Sequence, residues 1–322
     1  MTGDPDLADS WWEQVEARAR LSPERVMLGD PHGRTLTFAQ YQRSAEAAAA
    51  GLSARGIISG DCVAWQLPTT LEGAVLCGAL ARLGVLQCPI IQAFRENEID
   101  FIVGQSRPKL LVAARDWRGV DCGGISESVA ARHGCDLVLC DVGGVGNGEL
   151  KLPLAESSSL APFQPRHGPQ ARWIFYTSGT TSAPKGARHP DRSVIAAGRA
   201  LRLGIGLQSD DVFPMAFPIA HIGGPSFLAA QCQVGAKVVL IDVFDPASSP
   251  QIMAEQGATV LGSGLPFFNA YLAAQTEVGE RRLFPRLRIC AAGGAPLPPD
   301  MHQRLRETLG GSGVANAYGL TE

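Results

Sequence analysis

Charge is scarce in this chain. Charged residues fill 18% of its 322 positions, and only four of the basic ones are lysine. A formal net charge of -3, acidic before residue 160 and basic after it, offers no general attraction for a polyanion, so nucleic acid and membrane surfaces are excluded as expected partners. Long apolar runs are also missing: nothing approaches the roughly 18 residues that a membrane-spanning helix needs. The first ten residues are acidic and lack both a basic and an apolar leader segment, so a cytoplasmic location is expected. The eight cysteines, at 62, 77, 88, 122, 135, 140, 232 and 290, form no C-x-x-C pair and no Cys/His zinc spacing. Several sit inside apolar runs and read as buried free thiols in a reducing compartment. No repeat at solenoid or propeller period is visible.

What the sequence does hold is core-forming material: 45% hydrophobic residues, with 37 glycines and 22 prolines for turns. The length exceeds what one compact core usually accommodates, so two sub-domains or one large sheet system is expected. Short apolar runs alternate with helix-period segments. Residues 62–67, 85–91, 109–113 and 137–142 read as strands, with helices at 70–83 and 96–105. A Gly, Ser and Pro-rich stretch at 143–169 then has the composition of an exposed connection. A second series follows, with strands at 173–176, 212–217, 237–242, 259–263, 287–291 and 314–318, and helices between them. Such alternation predicts two stacked, doubly wound, largely parallel α/β sheets flanked by helices. The expected division is residues 1–170 and 171–322, with residues 1–58 able to pack on the second unit.

Chemistry concentrates after the strand at 173–176. Thr177-Ser178-Gly179-Thr180-Thr181-Ser182-Ala183-Pro184-Lys185-Gly186 gathers five hydroxyls, two glycines and a lysine in ten residues. Backbone amides and hydroxyls of such a loop wrap phosphate oxygens, and lysine adds a compact charge. It is not a Walker A loop, because Pro184 precedes the lysine and Gly186 follows it. The glycine cluster at 143–148 lacks the G-x-G-x-x-G spacing of a dinucleotide site.

Residues 176–186 resemble the phosphate-binding signature of the adenylate-forming superfamily, which includes acyl-CoA synthetases, peptide adenylation domains and luciferases. Two further segments are similar to that family's motifs in the expected order: Ala291-Ala292-Gly293-Gly294-Ala295-Pro296-Leu297 to its adenine-binding segment, and Asn316-Ala317-Tyr318-Gly319-Leu320-Thr321-Glu322 to its Y-G-x-T-E motif. The resemblance implies that Thr177, Ser178, Gly179, Thr180, Thr181 and Lys185 hold the β- and γ-phosphates of ATP. It implies that Gly293, Gly294, Ala295 and Pro296 bound the adenine with Tyr318. Thr321 would bond the α-phosphate and Glu322 would bind Mg²⁺, a hard ion that prefers oxygen ligands. Ser182 stands where the family usually has glycine.

The stretch Phe217-Pro218-Ile219-Ala220-His221-Ile222-Gly223-Gly224 resembles the acyl-CoA synthetase segment beside the substrate carboxylate. Amino-acid-activating relatives usually carry an Asp there; this stretch has no acid to balance an ammonium group, so an amino acid is not the expected substrate. His221, Gly223, Gly224, Gly264, Leu265, Ala291 and Ala292 are the candidate pocket residues, small or apolar enough for a fatty, alicyclic or aryl acid. The other histidines, 32, 133, 167 and 302, read as surface groups and His189 as structural. With His221, Lys185, Thr321 and Glu322 as catalytic candidates, the implied reaction converts a carboxylic acid to an acyl adenylate and then to a coenzyme A thioester. In the resembling family the chain continues past this motif with a ribose-binding aspartate, a hinge and a C-terminal domain carrying a lysine, so these 322 residues alone are expected to show little or no complete ligase activity. A catalytically silent nucleotide- and acyl-binding fragment is the alternative. Self-association is a further expectation, through apolar surface that the resembling family's C-terminal domain would cover.

Overall fold

The computed structural model describes residues 4–142, 150–164, 168–177 and 184–321. After a 3-10 turn at Pro5–Leu7 come helix α1 (Trp11–Leu21), strands β1 (Val26–Gly29) and β2 (Thr35–Thr37), and helix α2 (Phe38–Ala54). The alternating series follows as β3 (Cys62–Gln66), α3 (Leu71–Leu83), β4 (Leu86–Pro89), α4 (Glu96–Ser106), β5 (Leu110–Ala114), α5 (Cys122–His133) and β6 (Asp136–Cys140). The second half runs β7 (Trp173–Thr177), β8 (Lys185–His189), α6 (Asp191–Ile205), β9 (Val212–Met215), α7 (Gly223–Val234), β10 (Lys237–Leu240) and α8 (Ser249–Glu255). It ends with β11 (Val260–Leu261), α9 (Leu265–Val278), β12 (Ile289–Gly293), α10 (Met301–Leu309) and β13 (Val314–Ala317).

Strand alternation sorts the apolar side chains into layers. In the six-stranded sheet, ordered β6-β5-β3-β4-β7-β8, Val63, Trp65, Val112, Trp173 and Phe175 face one way, into a central core, while Ala64, Leu111, Ile174 and Tyr176 face α4 and α5. In the second layer Phe213, Met215, Val238 and Leu240 face the same central core, and Val239, Ile241, Cys290 and Ala292 face α8, α9 and α10. Buried residues of α2, α3, α6 and α7 fill the space between. Two faces of each sheet are therefore covered, as parallel strands require. The second layer consists of a four-stranded sheet, β2-β1-β10-β9, and a three-stranded sheet, β11-β12-β13. Thr259 joins them: its N–H donates to the Val212 carbonyl (3.0 Å) and its Oγ1 accepts from the Val212 N–H (2.9 Å).

Sheet membership does not follow the expected division at residue 170. β7 pairs with β4, and β8 lies antiparallel to β7, so residues 173–189 complete the first sheet. β1 pairs in parallel with β10, which puts residues 26–29 in the second, the unit on which the expectation already allowed residues 1–58 to pack. The described parts of the 143–169 stretch are likewise packed rather than free. Ala155 N–H donates to the Ala47 carbonyl (3.0 Å), Arg82 donates to the Ala161 carbonyl (2.7 Å), and Leu150, Leu152, Leu160 and Phe163 lie against the central core. Composition marked a loop there; it could not show that α2 drops its side chain at Gly51, where a Cβ would stand 2.3 Å from the Pro153 carbonyl oxygen.

All eight cysteines are free thiols, six of them buried and Cys62 and Cys135 half-buried. Burial pushes the Cys62 thiol up to about 11 and those of Cys140 and Cys290 to about 12, so they stay protonated and inert at neutral pH. No helix among the described residues is long and apolar enough to cross a membrane.

Candidate functional site

The parallel strands of the second layer bring their carboxyl ends to one edge, the usual place for a ligand in an open α/β sheet. Residues 217–224 leave β9 there, 262–264 leave β11, Gly293 to Pro296 leave β12 and Tyr318 leaves β13. Backbone proximity ties these segments together. The Gly293 N–H meets the Ser263 carbonyl (3.4 Å), a Cβ on Gly264 would lie 3.9 Å from the Gly293 oxygen, and Gly293 stands opposite Ala317 in the β12–β13 ladder. Gly294, Ala295 and Pro296 are exposed, and the Tyr318 ring is 92% exposed, a bare aromatic face one residue beyond β13.

Beneath these segments three phenylalanines pack together as an apolar floor: Phe213 on β9 and Phe227 on α7 are buried, and Phe217, just beyond β9, is half-buried. Phe213 stacks on Phe227 with centroids 4.3 Å apart, and Phe217 tilts against Phe227 at 5.7 Å. Gly262 brings the β11 turn onto the Phe213 ring, 3.4 Å from where a Cβ would be. His221 stands beside this floor: a Cβ on Gly223 would lie 3.2 Å from its Nδ1 and 3.4 Å from the Phe217 ring. The Gly223 N–H donates to His221 Nδ1 (3.1 Å), so Nδ1 is an acceptor and the neutral ring carries its proton on Nε2. The ring is open to solvent on one side, yet the surrounding protein mass desolvates it and lowers its pKa. A neutral imidazole with a free Nε2–H donor is the result.

Three of the candidate pocket residues have other work. Gly224 is buried, and a Cβ there would fall 2.2 Å from the Ile219 carbonyl oxygen, so its missing side chain lets α7 start against the 217–221 turn. Leu265 opens α9 and leans on the outer core, and Ala292 turns its methyl into that same core. Ala291, one residue earlier, faces the central core, and its carbonyl oxygen lies 3.5 Å from the Cβ position of Gly262. The pleat separates the two alanines; composition alone could not.

The second group lies on the hairpin of the first sheet. Thr177 and Lys185 face each other at the open end of β7 and β8, so the residues between them form the connection. Lys185 is exposed and has no ion-pair partner among the described residues. Ser178, Gly179, Thr180, Thr181 and Ser182 lie outside the described residues, as does Glu322. Thr321 is anchored at the opposite end of the hairpin from Lys185, where its carbonyl accepts from His189 Nε2–H (2.7 Å). That end is about 13 Å along the strand from Lys185. His302, read from sequence as a surface group, bonds Asn316 of β13 through Nε2 (3.1 Å), and His133 bonds Asp100 (3.0 Å).

Two open depressions lie elsewhere. One of about 280 Å³ sits between the ends of α2 and α3 and residues 160–164, lined by Arg82 and Arg172 among others; the other, of about 390 Å³, flanks Asp211 and Arg288 at the amino edge of the second layer. The arginines of the first already bond the Ala161 and Gly84 carbonyls. Neither space adjoins the carboxyl edge. Among the described residues no group of three or more His, Cys, Asp or Glu side chains is placed to hold a metal.

Known proteins resemble this chain along nearly its whole length. It is 28% identical to the medium-chain fatty-acid–CoA ligase of Escherichia coli (strain K12) over 328 aligned positions, 99% of this chain and 56% of that protein. It is also 28% identical to the 2-succinylbenzoate–CoA ligase of Geobacillus kaustophilus (strain HTA426), covering 97% of this chain and 58% of the relative. The chain thus spans little more than half the length of these curated relatives. Its fold superimposes on the crystal structure of the N-terminal domain of FACL13 from Mycobacterium tuberculosis with a TM-score of 0.81 at 22% identity, over 98% of this chain and 77% of that one. The family model described as AMP-binding enzyme matches residues 15–322, so the chain belongs to the AMP-binding enzyme family.

Proposed function

We propose that this chain is the ATP- and acid-binding portion of an acid–CoA ligase. The observation that carries the reading is the convergence, on one carboxyl edge, of the Gly293 to Pro296 segment, the bare Tyr318 ring and the His221 turn over its phenylalanine floor. Tyr318 would stack on adenine beside the exposed backbone of Gly294, and Lys185, on the hairpin of the neighbouring sheet, would face the β- and γ-phosphates. An acid whose apolar body lies against Phe217, the one partly exposed ring of the three, would bring its carboxylate toward His221 Nε2–H, a neutral donor that orients an oxygen without removing its charge. A carboxylate oxygen then attacks the α-phosphorus, the bond to pyrophosphate breaks, and an acyl adenylate forms. The sulfur of coenzyme A next attacks the acyl carbon and AMP leaves. Mg²⁺ would offset phosphate charge; Glu322, its expected ligand, lies outside the described residues.

A fatty, alicyclic or aryl acid fits the floor, and the absence of a carboxylate from residues 217–224 argues against an ammonium-bearing substrate. The test is equilibrium binding of octanoate, benzoate and ATP to the chain and to His221→Ala. The substitution should weaken acid binding by about tenfold, the worth of one lost bond to a charged group, and leave ATP affinity unchanged. Acid binding untouched by the substitution would remove His221 from the site. Pyrophosphate release that needs both acid and ATP supports adenylation, whereas binding of both without release supports a silent binding module instead.

A further inference from the structure

The His221 turn is irregular backbone. After Met215 the chain leaves the β9 ladder, and within a few residues it must bury Ile219 completely and still present His221 at the surface. A buried carbonyl and a buried N–H without ladder partners are costly, so something must satisfy them. One side chain from the other layer does both. Thr69, only 3% exposed, donates from Oγ1 to the Phe217 carbonyl (2.9 Å) and accepts at the same atom from the Ile219 N–H (3.0 Å).

We propose that Thr69 is the positioning residue of the acid site: from beyond the carboxyl end of β3 it clamps residues 217–219 and thereby sets where His221 stands. Its neighbour Thr70 is spent on capping α3, where its hydroxyl meets the Gly73 N–H (3.5 Å), so the two adjacent threonines divide their tasks. The clamped turn has no slack on its other side, because the Ile219 carbonyl presses against Gly224 and the Ile219 side chain reaches to within 3.5 Å of the Cβ position of Gly73. From Ile219 the constraint passes to His221 through the bond from the His221 N–H to the Pro218 carbonyl (3.0 Å), and the Gly223 N–H on Nδ1 fixes the ring. The two sheets are joined at the place where the acid would lie. The positioning of His221 is geometric; only its effect on acid binding rests on the function proposed above.

The experiment compares Thr69→Val, which keeps the shape and removes the hydroxyl, with Thr69→Ser, which keeps the hydroxyl. Three readings are taken on the 322-residue chain: the NMR titration of the His221 ring, octanoate affinity and ATP affinity. Thr69→Val should move the His221 midpoint up toward the ordinary histidine value and weaken octanoate by about tenfold, with ATP affinity unchanged. Thr69→Ser should reproduce the unmodified chain in all three. A folded Thr69→Val whose His221 titration and octanoate affinity are unchanged overturns the proposal. Equal losses of octanoate and ATP also overturn it, as general destabilisation, and so does a Thr69→Ser variant that loses as much as Thr69→Val. Should Thr69→Val move the titration while His221→Ala leaves octanoate binding intact, Thr69 stands as the positioning residue and the role of His221 in acid binding falls.

Discussion

Gly224→Ala probes the turn from its other side. The added Cβ would stand 2.2 Å from the Ile219 carbonyl oxygen and 2.7 Å from its carbonyl carbon, both backbone atoms that no rotamer change can remove. An ordinary carbon–oxygen contact is roughly 3.3 Å, so the start of α7 and the turn must part by about 1 Å. Overpacking of that kind costs about 1–3 kcal/mol. At roughly 2–4 °C per kcal/mol for a large domain, the melting temperature should fall by roughly 2–12 °C. The same displacement carries His221 away from its position, because the Gly224 N–H bonds the His221 carbonyl (2.8 Å). Displacing His221 should cost acid affinity up to the roughly tenfold that its removal costs, a loss beyond any that stability alone would bring. Differential scanning calorimetry and octanoate titration measure the two effects. Gly264→Ala is the control, since a Cβ there meets nothing nearer than 3.9 Å and its backbone is extended, and it should leave the melting temperature unchanged. A Gly224→Ala chain with the unmodified melting temperature and acid affinity would refute the packing argument.

Lys185→Ala should weaken ATP more than AMP, because the exposed lysine would face phosphates that AMP lacks; equal losses in calorimetric titrations with the two nucleotides would count against that placement. At the amino edge, burial alone would raise the Asp211 carboxyl, but hydrogen bonds from Arg288, Thr259 Oγ1 and the Gln208 N–H outweigh it and hold its pKa below the usual carboxylate value. A depressed pKa contributes stability above the unfolded value of about 3.9 that is lost as pH falls through the folded one, so the stability gap between the unmodified chain and Asp211→Asn should narrow below about pH 4. A gap constant from pH 6 to pH 2.5 in chemical denaturation would contradict this. Asp211→Ala at neutral pH strands a partly buried guanidinium and should cost about 3 kcal/mol.

Much of the fold was legible because parallel strands covered on both faces are written as short apolar runs with helical segments between them. The strands from β3 to β6 and most of those after β7 fall within a few residues of the expected runs. Helix α5 was not expected: its sequence opens Cys-Gly-Gly and carries little apolar periodicity, and what starts it is the Asp121 side chain capping the Gly124 N–H (2.7 Å). Strand β8, Lys-Gly-Ala-Arg-His, is polar and short, and exists because β7 offers it a ladder. At the site, the motifs were readable as residue types, including Gly293, Tyr318 and His221. Thr69 was not, since it acts on backbone 148 and 150 positions away and nothing local distinguishes it from an ordinary turn threonine. Face assignment also needed the structure: Ala291 and Ala292 are identical in type and opposite in direction.

The exchange of strands between the two layers constrains the order in which the chain can be assembled during synthesis. Leu28 emerges early yet pairs with Val238, and Trp11, whose indole N–H reaches the Pro225 carbonyl (3.2 Å), must also wait for the second half. The six-stranded sheet is likewise open at β4 until β7 arrives. Neither sheet can close until these later strands are made, so the apolar strand β1 and Trp11 stay without those partners until Pro225 and Val238 have been synthesised, and long-range pairing of this kind is slow and exposed to aggregation. A nascent chain with this topology has reason to depend on chaperones until β10 is released, and halves expressed separately should recover the native sheets only when mixed.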